Sequence, residues 1–390
     1  LLEAVGCDVA EQAGSLAVEA PSWRPDLTDP ADLVEEVVRL VGYDQLPSTL
    51  PTSALGHGLT HSQRIRRRVG IALAARGGIE VLTYPFVGDR ELDALRVAVD
   101  DPRRASVRLA NPLSDEQPLL RASLLPGLIA AARRNIGRGN SDLAIFELGS
   151  VFRGGSGQVL TSLSVERRPT DSEWSELSAL LPDQPFMVGA LLAGERTPAG
   201  WWGPAHTFDW SDAIEHAQVI AEVLGVRMAI SRGSDPTFHP GRCAALMIGD
   251  VHVGVAGELH PRVIEASELP ARACAMELNL DTCRAAAPEI RRAPAVSTHP
   301  VAKEDLALVV ADSVSVSAVA ASLADGAGEL LESLRLFDVY RGPQVAADHR
   351  SLAFSLRFRA PDRTLDAGEI QAARQSAIDA AARDCGASLR

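Results

Sequence analysis

The order of extended and helical segments after residue 300 restricts the fold of this chain more than any other feature. Residues 305–311, 334–341 and 352–358 have the apolar content of strands. In the third of them Leu352, Phe354, Leu356 and Phe358 lie on one face, with Ser355 and Arg357 on the other. Helical patterns occupy 316–324 and 366–383, and a short ASLR segment closes the chain. The order β-α-β-β-α-β predicts a ferredoxin-like split βαβ fold, which many proteins of different function share.

Length and composition limit the protein class. A chain of 390 residues corresponds to two or three domains at about 100 to 200 residues each. Lysine and arginine total 38 against 51 acids, a net charge of −13, so any RNA contact must be local.

Five scattered cysteines without a CxxC pair favour a reducing cytoplasm over a disulfide framework. No apolar run is long enough for a membrane span, and we expect no membrane association. The first residue is Leu1 instead of methionine, and the opening LLEAVGCDVA resembles the interior of a domain, so we expect a C-terminal fragment.

Two segments rich in proline, serine or alanine divide the chain, one near residue 50 and one at about 285–300. We therefore expect an α+β multidomain protein with domains at 1–50, 51–290 and 297–390. The middle domain mixes helical patterns at 63–76, 124–135 and 207–224 with a strand at 142–152 and a hairpin at 242–257.

An acidic helix follows residue 29. Asp29 and Pro30 form a helix start, and the helix is predicted to run to Val41. Asp32, Glu35 and Glu36 lie on or near one face, and Asp26 precedes them. Converging carboxylates repel one another unless a cation neutralises them, and oxygen ligands suit Mg²⁺. Acids in a first turn also complement the helix dipole and are commonly only solvated, so spacing alone leaves both interpretations open.

Several motifs resemble one family. The sequence PSWR-x-D followed by DLVEEVVRLVGY, then LANPLSDEQPLLRASLLPGLIAAARRN, FELGSVF, FHPGRCA and GELHP, and finally STHPVAKEDLALVV, resembles the bacterial phenylalanine–tRNA ligase beta subunit. The resemblance covers nearly the whole chain. It implies a partial winged-helix-like domain, a class II synthetase-like mixed α/β core without a working active site, and a C-terminal ferredoxin-fold anticodon-binding domain.

The resemblance also implies a function. The chain is expected to bind a catalytic alpha subunit in an alpha2-beta2 heterotetramer and to bind tRNA-Phe, while ATP is a substrate of the complex. It further implies that Asp26, Asp32, Glu35 and Glu36 ligate a Mg²⁺ ion shared with the alpha subunit. The alternative is a non-enzymatic RNA-binding or assembly protein that retains this architecture.

The sequence offers no catalytic residues of its own. It lacks GxxxxGK[ST], GxGxxG and GxSxG motifs, and Arg121 and Arg153 are interpreted as structural. For RNA contact, arginines on and beside the third strand of the last domain are candidates to bind phosphates, although such arginines are often only a solvated face. These candidates are Arg341, Arg350, Arg357, Arg359 and Arg363.

Overall fold

The structure, a computed structural model, describes residues 1–52, 56, 58–154, 166–290, 293 and 296–390. Parts of the two predicted linkers, residues 53–55, 57, 291, 292, 294 and 295, lie outside the described residues. The chain divides into two compact units, Leu1–Ala287 and Pro288–Arg390. Both of the first two predicted domains fall mainly in the first unit, so the boundary between them stays a prediction.

The first unit contains thirteen strands and eight α-helices within the described residues. The strands are β1 (Asp8–Gln12), β2 (Ser15–Glu19), β3 (Ile79–Glu80), β4 (Phe86–Val87), β5 (Leu119–Leu120), β6 (Leu143–Ser150), β7 (Phe186–Ala193), β8 (Glu195–Thr197), β9 (His206–Thr207), β10 (Ala229–Arg232), β11 (Phe238–Ile248), β12 (Val251–Leu259) and β13 (Cys274–Asn279). The helices are α1 (Pro30–Val41), α2 (His61–Ala75), α3 (Asp89–Ala94), α4 (Leu125–Ile136), α5 (Asp171–Ala179), α6 (Trp210–Leu224), α7 (Pro261–Ala266) and α8 (Leu280–Ala285).

Helix α1 follows the antiparallel β1–β2 hairpin and has the bounds that the sequence predicted. The Asp29 side chain accepts a hydrogen bond from the Ala31 amide at 2.7 Å, and the Asp32 side chain accepts one from the Asp29 amide at 2.9 Å. These reciprocal bonds satisfy donors that a helix start otherwise leaves open, and Pro30 needs no amide there. The helix ends at Val41 and is capped by Gly42, whose positive φ of 108° favours glycine.

A seven-stranded sheet with the order β10-β11-β12-β13-β7-β6-β3 forms the centre of the first unit. All neighbours are antiparallel except β3 and β6, which are parallel. Leu191 and Ala193 of β7 pack with the residues of α4, whereas Ala190 and Leu192 pack with those of α2 and α6. Alternate residues of one strand therefore serve two cores, one on each face of the sheet.

The second unit contains the predicted β-α-β-β-α-β order: β14 (Ala302–Ala311), α9 (Val316–Ala327), β15 (Leu331–Tyr340), β16 (His349–Phe358), α10 (Ala367–Cys385) and β17 (Ser388–Leu389). Its antiparallel sheet has the order β15-β16-β14-β17. One face of this sheet packs against α9 and α10 through residues such as Leu308 and Phe354. The other face, which we call the open sheet face, carries exposed residues such as Lys303 and Arg357. The α+β multidomain prediction is confirmed. No helix in the described part of the chain has the length and apolar character needed to cross a membrane.

Candidate functional site

The acidic segment around α1 is organised by one arginine. Nε of Arg24 donates to Oδ1 of Asp26 at 3.0 Å, and Nη2 donates to Oδ2 of Asp26 and to Oε1 of Glu36, both at 2.7 Å. Arg39, one turn further along the helix, bonds the other oxygen of Glu36. Glu36 is the buried carboxylate of the group, with 4% of its surface exposed. Asp26 and Glu36 are therefore brought together by a guanidinium.

The other two predicted ligands have different partners. Oδ2 of Asp32 accepts hydrogen bonds from the amides of Thr28 at 2.8 Å and Asp29 at 2.9 Å. Glu35 accepts a hydrogen bond from the Tyr43 hydroxyl at 2.5 Å. Asp32 thus caps the helix start, and Glu35 binds Tyr43, two residues beyond the last residue of the helix.

The same contacts set the ionisation of this segment. Hydrogen bonds from Arg24 and then Arg39 lower the pKa of Glu36 to about 2, and the bond from Arg24 lowers the pKa of Asp26. The amides of Asp29 and Thr28 lower the pKa of Asp32. In all three groups the hydrogen bonds from an arginine or from backbone amides stabilise the ionised carboxylate.

The arrangement does not fit a shared metal ion. Carboxylate oxygens are the donors that Mg²⁺ prefers, but the carboxylates that hold one octahedral ion must be directed at one point at about 2.0–2.1 Å, with waters in the remaining positions. In the chain as it stands, they are directed at arginine, backbone amides and a phenol. Among the described residues, no three or more His, Cys, Asp or Glu side chains are arranged as metal ligands. Ligation of Mg²⁺ by Asp26, Asp32, Glu35 and Glu36 stays a prediction.

Arg121, the class II-like candidate in the core, lies within a closed network. Its guanidinium donates to Glu147 at 2.7 Å, to Thr83 Oγ1 at 3.0 Å and to the Ser150 carbonyl at 3.1 Å. Glu147 is fully buried, and a Cβ at Gly149 would lie 2.3 Å from the guanidinium. The arginine fills the available space and has its partners inside the protein, so its geometry is structural.

Four of the five arginines predicted to contact RNA have acceptors in the second unit. Arg341 pairs with Asp312 at 2.9 Å, Arg350 donates to the Val314 carbonyl at 2.6 Å, Arg359 pairs with Glu332 at 2.9 Å, and Arg363 pairs with Glu369 at 2.8 Å. Arg357 is exposed and has no hydrogen bond or ion pair to the described residues.

The strand register adds two cations that the sequence did not indicate. Lys303 of β14 lies directly opposite Arg357 of β16, and Arg335 of β15 lies opposite Ser355, two residues away on the same face. Two acids share this face, Asp305 opposite Ser355 and Asp338 opposite Ala353. Lys303 is the only lysine of the chain. A single sequence does not reveal which residues of three strands lie side by side, so this group required the structure.

Arg24 was also missed as an interacting residue. A signal for it existed, since the PSWR-x-D motif places an arginine two residues before an acid and Arg39 follows Glu36 by three. Charge pairing within this segment was therefore visible in the sequence as an alternative to a metal ion.

Three family models match the chain. The phenylalanyl tRNA synthetase beta chain CLM domain matches residues 46–280, the ferredoxin-fold anticodon binding domain matches 297–390, and the tRNA synthetase B5 domain matches 1–43.

Relatives named phenylalanine–tRNA ligase beta subunit are similar over the whole chain. The identity is 52% to the protein of Streptomyces avermitilis, 51% to that of Thermobifida fusca and 46% to that of Cutibacterium acnes. The chain spans about half of each relative, at 47%, 47% and 46% of its length. The extent of these matches shows that the chain belongs to the phenylalanyl-tRNA synthetase beta chain family.

Proposed function

We propose that this chain acts within a phenylalanine–tRNA ligase as the part that binds the alpha subunit and tRNA-Phe. The alpha subunit carries the active site, and the complex attaches phenylalanine to tRNA-Phe with ATP as a substrate. The assembly is an alpha2-beta2 heterotetramer in the cytoplasm. The observation that carries the proposal is similarity along the entire chain to proteins named as beta subunits of this ligase.

The core of the first unit supports a role without chemistry of its own. Adenylate formation needs cations directed at the phosphates of ATP, because charge stabilisation dominates such transfers. Arg121 instead faces Glu147, a fully buried carboxylate. The alternative of a non-enzymatic assembly protein is not favoured, since relatives of 44–52% identity carry the name of a ligase subunit.

We assign the alpha contact to an apolar surface beside β3 and β4, which we call the Tyr84 surface. Leu82 is 92% exposed, Tyr84 83% and Leu113 94%. Tyr84 stacks on Phe86 with ring centroids 6.2 Å apart, and both line a depression of about 180 Å³ together with Leu113. Exposed apolar groups that line one depression are typical of protein interfaces, whereas isolated exposed residues are not.

We assign RNA contact to the open sheet face of the second unit, through Arg357, Lys303 and Arg335. These three residues lie on one face by register, on β16, β14 and β15. The small side chains of Ala353 and Ala307 continue the same face and are partly exposed, so a phosphate backbone can approach this part of the sheet closely. Contacts of this kind hold RNA by its backbone and shape more than by base identity.

Capture of the alpha subunit tests the proposal. A tagged form of this chain is mixed with the purified alpha subunit, and the bound fraction is measured for the chain itself and for Tyr84→Ser combined with Leu113→Ser. We expect the chain to retain the alpha subunit and the double variant to lose most of the binding. Trp201→Ser is the matched control, because Trp201 is 93% exposed on the β8–β9 connection. Failure of the unsubstituted chain to bind the alpha subunit would contradict the proposal.

A further inference from the structure

The charges around α1 are arranged as an internal salt-bridge network. Asp26 uses both oxygens on Arg24, at 3.0 and 2.7 Å. Glu36 uses one oxygen on Arg24, at 2.7 Å, and the other on Arg39. The forked geometry of Arg24 on Asp26 is the arrangement in which a guanidinium binds a carboxylate most specifically.

We infer that Arg24 is the built-in counter-cation of this acidic segment. It joins the loop carboxylate of Asp26 to the helix carboxylate of Glu36. The repulsion between these two carboxylates is thereby relieved by a residue of the chain, and no divalent ion is needed for this. The segment therefore folds without an ion, and a divalent cation enters only by displacing the guanidinium from Asp26. The inference concerns this chain alone and does not rest on the proposed function.

The geometry explains the exclusion. A Mg²⁺ ion binds carboxylate oxygens at about 2.0–2.1 Å. An ion at the oxygens of Asp26 and Glu36 would lie beside the Arg24 nitrogens that already contact those oxygens. Two positive groups would then share one pair of carboxylates, and the like charges repel. Within this network Arg39 contacts only the second oxygen of Glu36. It therefore does not compete with an ion for the oxygens of Asp26.

A calorimetric titration of the purified chain with Mg²⁺ tests the inference. The comparison uses the unsubstituted chain, Arg24→Met, and Arg39→Met as the matched control, since Arg39 binds Glu36 but not Asp26. We expect the unsubstituted chain to bind Mg²⁺ with a Kd weaker than about 1 mM. We expect Arg24→Met to bind on the order of tenfold more tightly, and Arg39→Met to change affinity less than Arg24→Met does.

Two results of this titration would overturn the inference. The first is tight Mg²⁺ binding by the unsubstituted chain that Arg24→Met loses, because the arginine would then support the site. The second is an Arg24→Met chain that remains folded and gains no affinity, because the guanidinium would then not be what excludes the ion.

Thermal unfolding gives a measurement that does not depend on the variant folding. The unsubstituted chain is heated in excess EDTA and in millimolar Mg²⁺, and we expect the same midpoint in both. A higher midpoint with Mg²⁺ that is absent from a Glu36→Gln chain would mean that the native segment binds the ion and would contradict the inference. No alpha subunit or tRNA is present, so either outcome leaves the proposed function to its own test.

Discussion

Arg121 and Glu147 form an ion pair of 2.7 Å inside the first unit, where 5% of the arginine and none of the glutamate is exposed. Thr83 joins the pair through its hydroxyl, which donates to Glu147 at 2.7 Å and accepts from Arg121 at 3.0 Å. Because the charges satisfy each other, the pair belongs to the interior of the unit and not to a ligand site.

Removal of one charge from this pair is expected to destabilise the first unit. Arg121→Met leaves Glu147 buried without its cation, and breaking a buried pair from one side costs about 3–5 kcal/mol. Arg121→Met combined with Glu147→Leu is expected to recover most of that loss, since no unpaired charge remains. Urea unfolding measures both effects. A loss of less than about 0.5 kcal/mol for Arg121→Met would mean that the arginine is not part of the packed interior.

Glu277 is expected to make stability depend on pH. Burial raises the pKa of this carboxyl above its ordinary 4.5, against hydrogen bonds from the Leu124 amide and Ser123 that lower it. Because the pKa of Glu277 is higher in the folded chain than in the unfolded chain, the protonated side chain contributes fully to stability below about pH 4.5, the unfolded value. This contribution is lost as the pH rises through the pKa of the folded state. The unsubstituted chain should therefore lose more stability between pH 5 and 8 than Glu277→Gln does.

Urea unfolding of both proteins at several pH values checks this expectation. Glutamine keeps an acceptor for the Leu124 amide and does not ionise, so its unfolding free energy should vary less with pH than that of the unsubstituted chain. Curves that run parallel for the two proteins from pH 5 to 8 would show that Glu277 does not titrate in this range.

RNA contact by the open sheet face is expected to appear in the salt dependence of tRNA binding. Arg357→Gln should weaken binding and lower the slope of log K against log salt by about 1, because one phosphate contact is lost. Arg363→Gln is the control, since Arg363 is paired with Glu369. Equal effects of the two substitutions would argue against a specific role for this face.

The single lysine provides an independent measurement of the same face. Acetylation of Lys303, followed by mass spectrometry, should slow when tRNA is bound, because Lys303 lies directly opposite Arg357. An unchanged rate at saturating tRNA would count against contact there.

Helix starts and strand alternation were predictable because their signals are local. Asp29 and Pro30 gave both ends of α1, together with Gly42. Helix α2 begins at His61, two residues before the predicted start, because the Thr60 hydroxyl and the Gln63 side chain cap it reciprocally. Strand β15 begins at Leu331 instead of 334, since cross-strand pairing with Phe358 extends it.

Side-chain partners were less predictable because they depend on register and direction. The sequence identified the acids of α1 but not that Arg24 would bridge Asp26 and Glu36. It gave five arginines as equal candidates for RNA, whereas pairing such as that of Arg359 with Glu332 leaves Arg357 without an internal acceptor. The spacing of PSWR-x-D allowed charge pairing by Arg24 but did not show that the loop folds back to bridge two acids, and the distinction among the five arginines arises only when the strands align.

Phenylalanine-dependent exchange between ATP and pyrophosphate tests the central claim most directly, because it detects adenylate formation without tRNA. The purified chain is assayed alone, and the same preparation is assayed after addition of the alpha subunit. We predict no exchange above background for the chain alone and phenylalanine-dependent exchange once the alpha subunit is present. Exchange catalysed by the chain alone would contradict the account, since its core would then contain a working active site.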